Sequence, residues 1–202
     1  MRNFIYYSKK ARTSGNFDLQ NLMKAGRMDI ACQIVIMSFF VSHHLREDVK
    51  LHLIFDGPPD PPKHLELSPG DNFMADEEQR IDISKKDVGS LLKKMLYKYK
   101  KGEKREVSKG YFVEKKSLVK VAEELVEEGK QIFIMDKKGE DIRKIKKLDN
   151  AVFIIGDQDG IPKQEMKRLK KLDVKKVSVG SQMYFASQTM TIIQNELDRR
   201  NL

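Results

Sequence analysis

The 202-residue chain reads as an α/β protein, with one mostly parallel sheet flanked by helices. Three observations predict this. Strand-like and helical runs alternate along the whole length. An apolar run, 151–155, and a strand-like run, 174–179, stop at glycine loops, Gly156-Asp157-Gln158-Asp159-Gly160-Ile161-Pro162 and Gly180-Ser181-Gln182-Met183-Tyr184. The chain then closes on a helix, 186–199, that keeps Met190, Ile193 and Leu197 on one face. In such sheets ligands collect at the carboxyl ends of strands. The loops at Met135-Asp136, 156–162 and 180–184 therefore share one site if their strands are neighbours.

In order, residues 3–8 carry aromatic and β-branched side chains and read as a first strand. Residues 9–26 are polar and loop-like. Gly26-Arg27-Met28-Asp29 then opens a long helix reaching Leu45, with Ile30, Ile34, Met37 and Val41 at helical spacing and Cys32 as a core residue. Asp29 falls in its first turn, where a carboxylate suits the positive end of the macrodipole. Residues 49–55 alternate as a second strand and stop at Asp56-Gly57-Pro58-Pro59-Asp60-Pro61-Pro62, which holds four of the six prolines. Proline fixes its own φ and restrains its predecessor, so the loop is stiff: either a rigid strand exit or a wall beside a site.

Residues 63–84 are mixed, with a turn at Pro69-Gly70-Asp71-Asn72. Residues 87–101 form an amphipathic helix with Val88, Leu91, Leu92, Met95, Leu96 and Tyr99 inward. Residues 104–116 are basic, with Tyr111 and Phe112 interleaved. Ser117 caps a third helix, 118–128, and Gly129 ends it. Residues 131–135 read as a buried strand, and a lysine-rich spacer separates the two glycine loops. No repeat or domain boundary interrupts the chain, so a single domain is expected.

Composition bounds the function. Forty per cent hydrophobic residues suffice for a core, and no apolar run is long enough to span a bilayer. The first residues lack the apolar stretch of a secretory signal, and one cysteine forms no internal disulfide; both point to the cytoplasm. Cys32 and the four histidines show no metal-ligand spacing, so no metal is expected. The formal charge is +9, and residues 85–116 hold 12 Lys or Arg against 4 Asp or Glu. Such concentration is either a solvated helix face or a surface for phosphates. Arg12, Lys93, Lys94, Lys98, Lys104 and Arg105 are the candidates for phosphate contacts to a polyanion such as nucleic acid.

Neither glycine loop alone is specific; the first lacks the third glycine of a dinucleotide fingerprint and the Gly-Lys-Ser/Thr of a P-loop. Together, followed by Ala186-Ser187-Gln188 and Asn195-Glu196-Leu197-Asp198-Arg199, they resemble the cofactor segments of the SPOUT methyltransferases. Upstream, Gly15-Asn16-Phe17-Asp18, Gly26-Arg27-Met28-Asp29-Ile30 and Gly57-Pro58-Pro59-Asp60-Pro61-Pro62 resemble one branch, the archaeal tRNA pseudouridine-54 N1-methyltransferases. The resemblance covers nearly the whole chain. It implies one SPOUT domain over 1–202, with a C-terminal deep trefoil knot at about 131–200 that binds S-adenosylmethionine (SAM), and a homodimer acting on tRNA. By position, Met135, Gly156, Asp157, Gly160, Val179, Gly180, Ser181, Gln182, Met183 and Tyr184 would line the cofactor. Thr189 stands where the family often has cysteine, a departure from its pattern.

The resemblance also implies the chemistry. Pseudouridine N1 carries a proton and is a poor nucleophile until that proton leaves. Asp29 is the candidate for contacting or deprotonating the base, and Arg27 for holding it or stabilising the anion. Relatives acting on ribosomal RNA carry a similar Arg-x-Asp-Ile string. Asp29 as a simple helix-end charge, and Tyr184 as either a stacking partner or a cofactor neighbour, remain open at this point. Two other readings compete with tRNA methylation: the same reaction on ribosomal RNA, and a non-catalytic RNA-binding protein that retains a SAM site.

Overall fold

A computed structural model describes residues 1–42, 44–70 and 84–202. Five parallel strands form its centre: β1 (Arg2–Ser8), β4 (Val49–Phe55), β8 (Gln131–Asp141), β9 (Ala151–Gly156) and β10 (Lys175–Ser178). An antiparallel flank of β5 (Lys63–Leu67), β6 (Arg105–Ser108) and β7 (Tyr111–Glu114) completes an eight-stranded sheet in the order β10-β8-β9-β1-β4-β5-β7-β6. A separate hairpin pairs β2 (Phe40–Val41) with β3 (His44–Leu45).

Side chains alternate across a strand, so the sheet has two cores. Phe4, Tyr6, Leu51 and Leu53 point toward α1 (Met28–Phe39), α2 (Lys85–Tyr97) and α5 (Ala186–Arg199). Ile5, Tyr7, Ile54, Val152 and Ile154 point toward α3 (Leu118–Glu127) and α4 (Lys163–Leu169). Strands covered on both faces read as near-continuous apolar runs, as the middle of β1 and β9 do, whereas Lys50 and His52 make β4 alternate; all three lie where the sequence places them.

Several expectations are corrected. The helix expected to reach Leu45 ends at Phe39: Phe40 turns extended, and Arg46 N–H donates to the Phe39 carbonyl (2.7 Å) to close the hairpin. The mixed stretch after the prolines begins with β5, which carries buried Lys63, His64 and Glu66 and so lacks an apolar strand pattern. The amphipathic helix runs Lys85–Tyr97, starting two residues before the expected 87 because Ser84 and Asp87 form a capping box. The basic stretch 104–116 is the β6–β7 hairpin, and the lysine-rich spacer contains α4. The expected turn at Pro69 runs into residues outside those described.

The strand expected at 131–135 continues to Asp141. Lys175 and Lys176 pair with Phe133 and Ile134, whereas Val177 and Ser178 pair with Glu140 and Asp141. The bulge between them lets β10 dock on two separated parts of β8.

Antiparallel pairing of β4 and β5 gathers two histidines that look scattered in sequence. His52, His64 and Glu66 place potential ligand atoms within 4.8 Å of one another. The Glu66 carboxylate is already engaged by Lys104 (2.7 Å) and Lys50 (3.7 Å). His64 Nδ1–H donates to Glu114 (3.0 Å), and His52 Nδ1–H donates to His64 Nε2 (2.9 Å). Burial lowers both histidine pKa values; at Glu114 burial pushes upward, but hydrogen bonds from His64 and Lys116 prevail and bring it to about 2.

Neutral histidines in the folded state face an unfolded state that binds protons below about pH 6.5. Their contribution is therefore complete above that pH and lost as pH falls, by up to about 1.4 kcal/mol per histidine per pH unit. Denaturant melts at pH 7.0 and 5.5 should differ by roughly 2 kcal/mol, and His52→Gln should shrink the difference. Equal stability at the two pH values would contradict this network.

Candidate active site

β10, β8, β9 and β1 are consecutive and parallel in the sheet, so the loops leaving their carboxyl ends do share one edge. Residues 9–13, after β1, tie these loops together. Asp157, buried at the end of β9, turns its carboxylate toward them: Oδ2 accepts from Ser8 Oγ–H (2.9 Å) and Lys9 N–H (3.0 Å). Its Oδ1 accepts from Asp159 N–H (2.9 Å), and its carbonyl from Gly160 N–H (2.9 Å). Asp157 thus shapes the first glycine loop and anchors it to β1.

The proline loop braces the same segment. Gly57 N–H donates to the Ala11 carbonyl (3.1 Å), Thr13 Oγ1–H to the Gly57 carbonyl (2.9 Å), and Asp60 N–H to Thr13 Oγ1 (2.9 Å). Lys63, fully buried, donates to the Asp60 carboxylate and carbonyl (both 2.6 Å) and lies 4.0 Å over the Tyr99 ring. The stiff loop is therefore a wall against residues 11–13.

On the other side, the start of α1 presses against the same residues. Arg12 N–H donates to the Ala25 carbonyl (3.2 Å), and Gly26 packs on the Lys10 carbonyl so tightly that a Cβ would lie 1.7 Å from its oxygen. Gly26 and Arg27 are both left-handed, with φ of 69° and 65°. For arginine that conformation costs about 1–2 kcal/mol, a strain that marks functional sites when the surroundings enforce it. It aims the guanidinium back at Asp29: Arg27 Nε and Nη2 donate to Oδ1 and Oδ2, each at 3.0 Å. The Asp29 hydrogen bonds raise the Arg27 pKa. This half-exposed fork is a planar charged pair at the edge of the site.

Tyr6 lies between the two carboxylates. Its hydroxyl is buried beside Ser8, whose own proton goes to Asp157. Burial first, then the charges of Asp157 and Asp29, push its pKa up, against smaller opposing effects of the Ser8 hydroxyl and of Arg27. Arg12 Nε is buried and unpartnered too. Cys32, about one turn beyond Asp29 on α1, is no nucleophile: burial pushes its thiol up to about 12.

The cofactor candidates fall into three groups along this edge. Met135 is half-buried where β8 leaves its first register. Gly156 closes β9, with its missing Cβ 3.1 Å from Gly160 Cα, and Gly160 is left-handed (φ 68°). Val179 and Gly180 follow β10; Gly180 has φ 131°, and neither it nor Gly160 would meet any atom within 4 Å of an added Cβ. Ser181, Gln182, Met183 and Tyr184 are exposed, and Thr189 is buried in the first turn of α5. Gly160 and Gly180 leave open space against their backbone, where a flat ligand would meet no Cβ, and residues of this kind fit SAM.

A family profile described as "Putative SAM-dependent RNA methyltransferase" matches residues 1–202. The chain belongs to this family. It is 34% identical to the tRNA (pseudouridine(54)-N(1))-methyltransferase of Methanococcoides burtonii, over 98% of this chain and 96% of that one. It is 33% identical to the protein of the same name from Methanococcus aeolicus, over the full length of both. Among solved structures, Archaeoglobus fulgidus Nep1 bound to S-adenosylhomocysteine superposes with a TM-score of 0.66 at 13% identity, covering 99% of this chain and 98% of that one. This last likeness speaks for the fold.

For a SAM-dependent RNA methyltransferase the basic residues matter next, and the structure divides them. Lys93 Nζ donates to the Phe17 carbonyl (2.7 Å), and Lys104 Nζ binds Glu66 (2.7 Å) over the Phe112 ring. Those two lysines hold the fold together. Lys94, Lys98 and Arg105 are exposed and carry no ion pair among the described residues. Sequence reasoning missed Ser8 and Tyr6, because a strand reading reports only their burial. It also missed the bracing role of Thr13, whose partners are 44 and 47 residues away.

Proposed function

We propose that the chain methylates N1 of pseudouridine 54 in the T-loop of tRNA, using SAM, as a homodimer in the cytoplasm. The observation that carries this reading is the Arg27–Asp29 fork, held by strained backbone beside the glycine loops. The full-length relatives named for this reaction support the choice of nucleoside and RNA.

Residues of the segment 131–200, the proposed knotted unit, would hold SAM: the backbone around Gly156, Gly160 and Gly180–Tyr184, with Met135, Val179 and Thr189 at its sides. Bound there, SAM supplies an electrophilic methyl group that needs no metal. Asp29 accepts the N1 proton of the base, or a hydrogen bond from it, raising electron density on that nitrogen. Arg27 balances the negative charge that spreads into the neighbouring carbonyl groups. Both residues sit on a helix start whose macrodipole also favours an anion. Asp157 and residues 9–13 fix the cofactor loop relative to this pair, which is a matter of positioning and worth several orders of magnitude in such reactions.

The target nucleotide must leave its stack to reach the site. Arg12, Lys94, Lys98 and Arg105 are proposed to hold phosphates around it. Met183 and Phe185 are 75% and 78% exposed beside Tyr184, an apolar trio that supports a partner subunit at this edge. Sedimentation of the purified protein would reveal a monomer if that assignment is wrong.

Two tRNA transcripts test the chemistry, one with uridine and one with pseudouridine at position 54, each incubated with labelled SAM. Label should enter only the second. Equal labelling of the uridine form would remove N1 as the target.

A further inference from the structure

The most concentrated charge that the reading above leaves unused lies between the two glycine loops. Residues 163–176 contain Lys163, Lys167, Arg168, Lys170, Lys171, Lys175 and Lys176 against Glu165 and Asp173. Met166, Leu169 and Leu172 turn inward against α3, so the opposite side of α4 and of the 3-10 turn Lys170–Leu172 presents its lysines to solvent. Lys163, Lys167, Lys170, Lys171 and Lys175 are all exposed and have no ion pair among the described residues. Arg168 pairs with Glu165, and Lys176 with Asp136.

The neighbouring helix in the same layer has the opposite character. α3 and its C-terminal cap carry Glu123, Glu124, Glu127 and Glu128 against one lysine, Lys120, which pairs with Glu123; Glu124 pairs with Lys116, so Glu127 and Glu128 leave the excess negative. A generally lysine-rich surface would intersperse the signs, as solubility favours. Here they are sorted by helix. A polyanion is attracted to α4 and repelled from α3, so the arrangement defines a track and not merely an attraction.

We propose that this lysine track binds the phosphate backbone of the substrate RNA outside the loop that is methylated. The assignment rests on the tRNA reading above. α4 starts immediately after the first glycine loop, and β10 returns directly into the second. The track therefore begins at the site and runs down α4, away from the strands' carboxyl ends, for about 12 Å. It is also distinct from the α2 and β6–β7 surface. That surface lies on the other face and at the far edge of the sheet, seven strand spacings from β10, or roughly 34 Å before twist. α2 packs on residues 15–17 next to the α1 start and so is suited to the target loop. The α4 track extends the footprint to a second stretch of helix, which an isolated T-arm hairpin does not supply.

The test uses the intact protein and a quadruple variant, Lys163→Ala, Lys167→Ala, Lys170→Ala and Lys171→Ala, all at exposed positions. Binding to full-length tRNA, read by fluorescence anisotropy across salt concentrations without SAM, should weaken tenfold or more at low salt. The slope of log affinity against log salt should fall by roughly 3, the value for four phosphate contacts. Affinity for a T-arm hairpin, and the methylation rate at saturating tRNA, should be unchanged. The corresponding Lys→Arg variant should keep the parental slope, and matching melting curves exclude misfolding. An unchanged slope with full tRNA, as expected if the track serves an acidic protein instead, overturns the proposal. An equal loss with the hairpin overturns it too, by placing the track on the target loop. Because binding is read without turnover, a parent protein that binds tRNA but fails to methylate it refutes the reaction and not the track.

Discussion

Replacing Asp29 with asparagine will lower the turnover of pseudouridine-containing tRNA by about 10²–10⁴-fold while leaving tRNA affinity nearly intact. Asparagine has the same shape and can still accept one hydrogen bond from Arg27. It lacks the charge and the basicity that the N1 proton requires. Arg27→Lys should also be slow, because a point charge cannot replace the two parallel hydrogen bonds at 3.0 Å. The alternative role for Asp29, a charge that only stabilises the α1 start, predicts something different: a stability loss of about 0.3–1 kcal/mol and normal turnover. Single-turnover rates and melting curves on one protein sample separate the two. Near-normal turnover in Asp29→Asn would remove the residue from the chemistry.

Gly26→Ala will cripple the protein more broadly than any substitution of a charged residue. A Cβ at position 26 would lie 1.7 Å from the Lys10 carbonyl oxygen and 2.4 Å from its carbon. Both are backbone atoms, in a segment held by Asp157 on one side and by the proline loop on the other. Alanine would also have to adopt φ 69°, at about 1–2 kcal/mol before any clash. The sum should exceed about 3 kcal/mol, with the variant unfolding at markedly lower denaturant or failing to accumulate. A correctly folded Gly26→Ala with full activity would mean that residues 9–13 can yield, and that they do not fix the α1 start. Gly102→Ala is the control: φ is 83° there too, but its Cβ would meet nothing within 4 Å, so only the conformational penalty applies.

How much of this could be read from residues alone depended on burial and on distance along the chain. β1 and β9 were announced by their apolar runs, and β4 by its alternation of Val49, Leu51 and Leu53 with Lys50 and His52. The capped α3 and the one-sided α5 were equally plain. β5 was not, because Lys63, His64 and Glu66 are buried by virtue of Asp60, Tyr99, Glu114 and Lys104, partners that no local pattern reveals. α4 is seven residues long, and its Met166, Leu169 and Leu172 repeat was hidden among lysines. The polar second half of β8 lacks any strand alternation and is held by β10 after a register shift.

The site followed the same rule. Gly26-Arg27-Met28-Asp29 was legible as a helix start with a charged pair, and the two glycine loops as backbone-lined pockets. That the loops share an edge required the strand order. The Asp157 carboxylate is engaged by Ser8 and Lys9, 149 and 148 residues away, a role that no local pattern reveals. It holds the first glycine loop against β1. Likewise, Lys93 and Lys104 look like RNA contacts in a basic segment, but their ammonium groups are engaged within the protein.

Nucleoside mass spectrometry of tRNA from cells with and without the protein is the most direct test of the account. The account predicts N1-methylpseudouridine at position 54 in the presence of the protein, and unmodified pseudouridine at that position in its absence. An unchanged position 54, with a methyl group lost from ribosomal RNA instead, would contradict it.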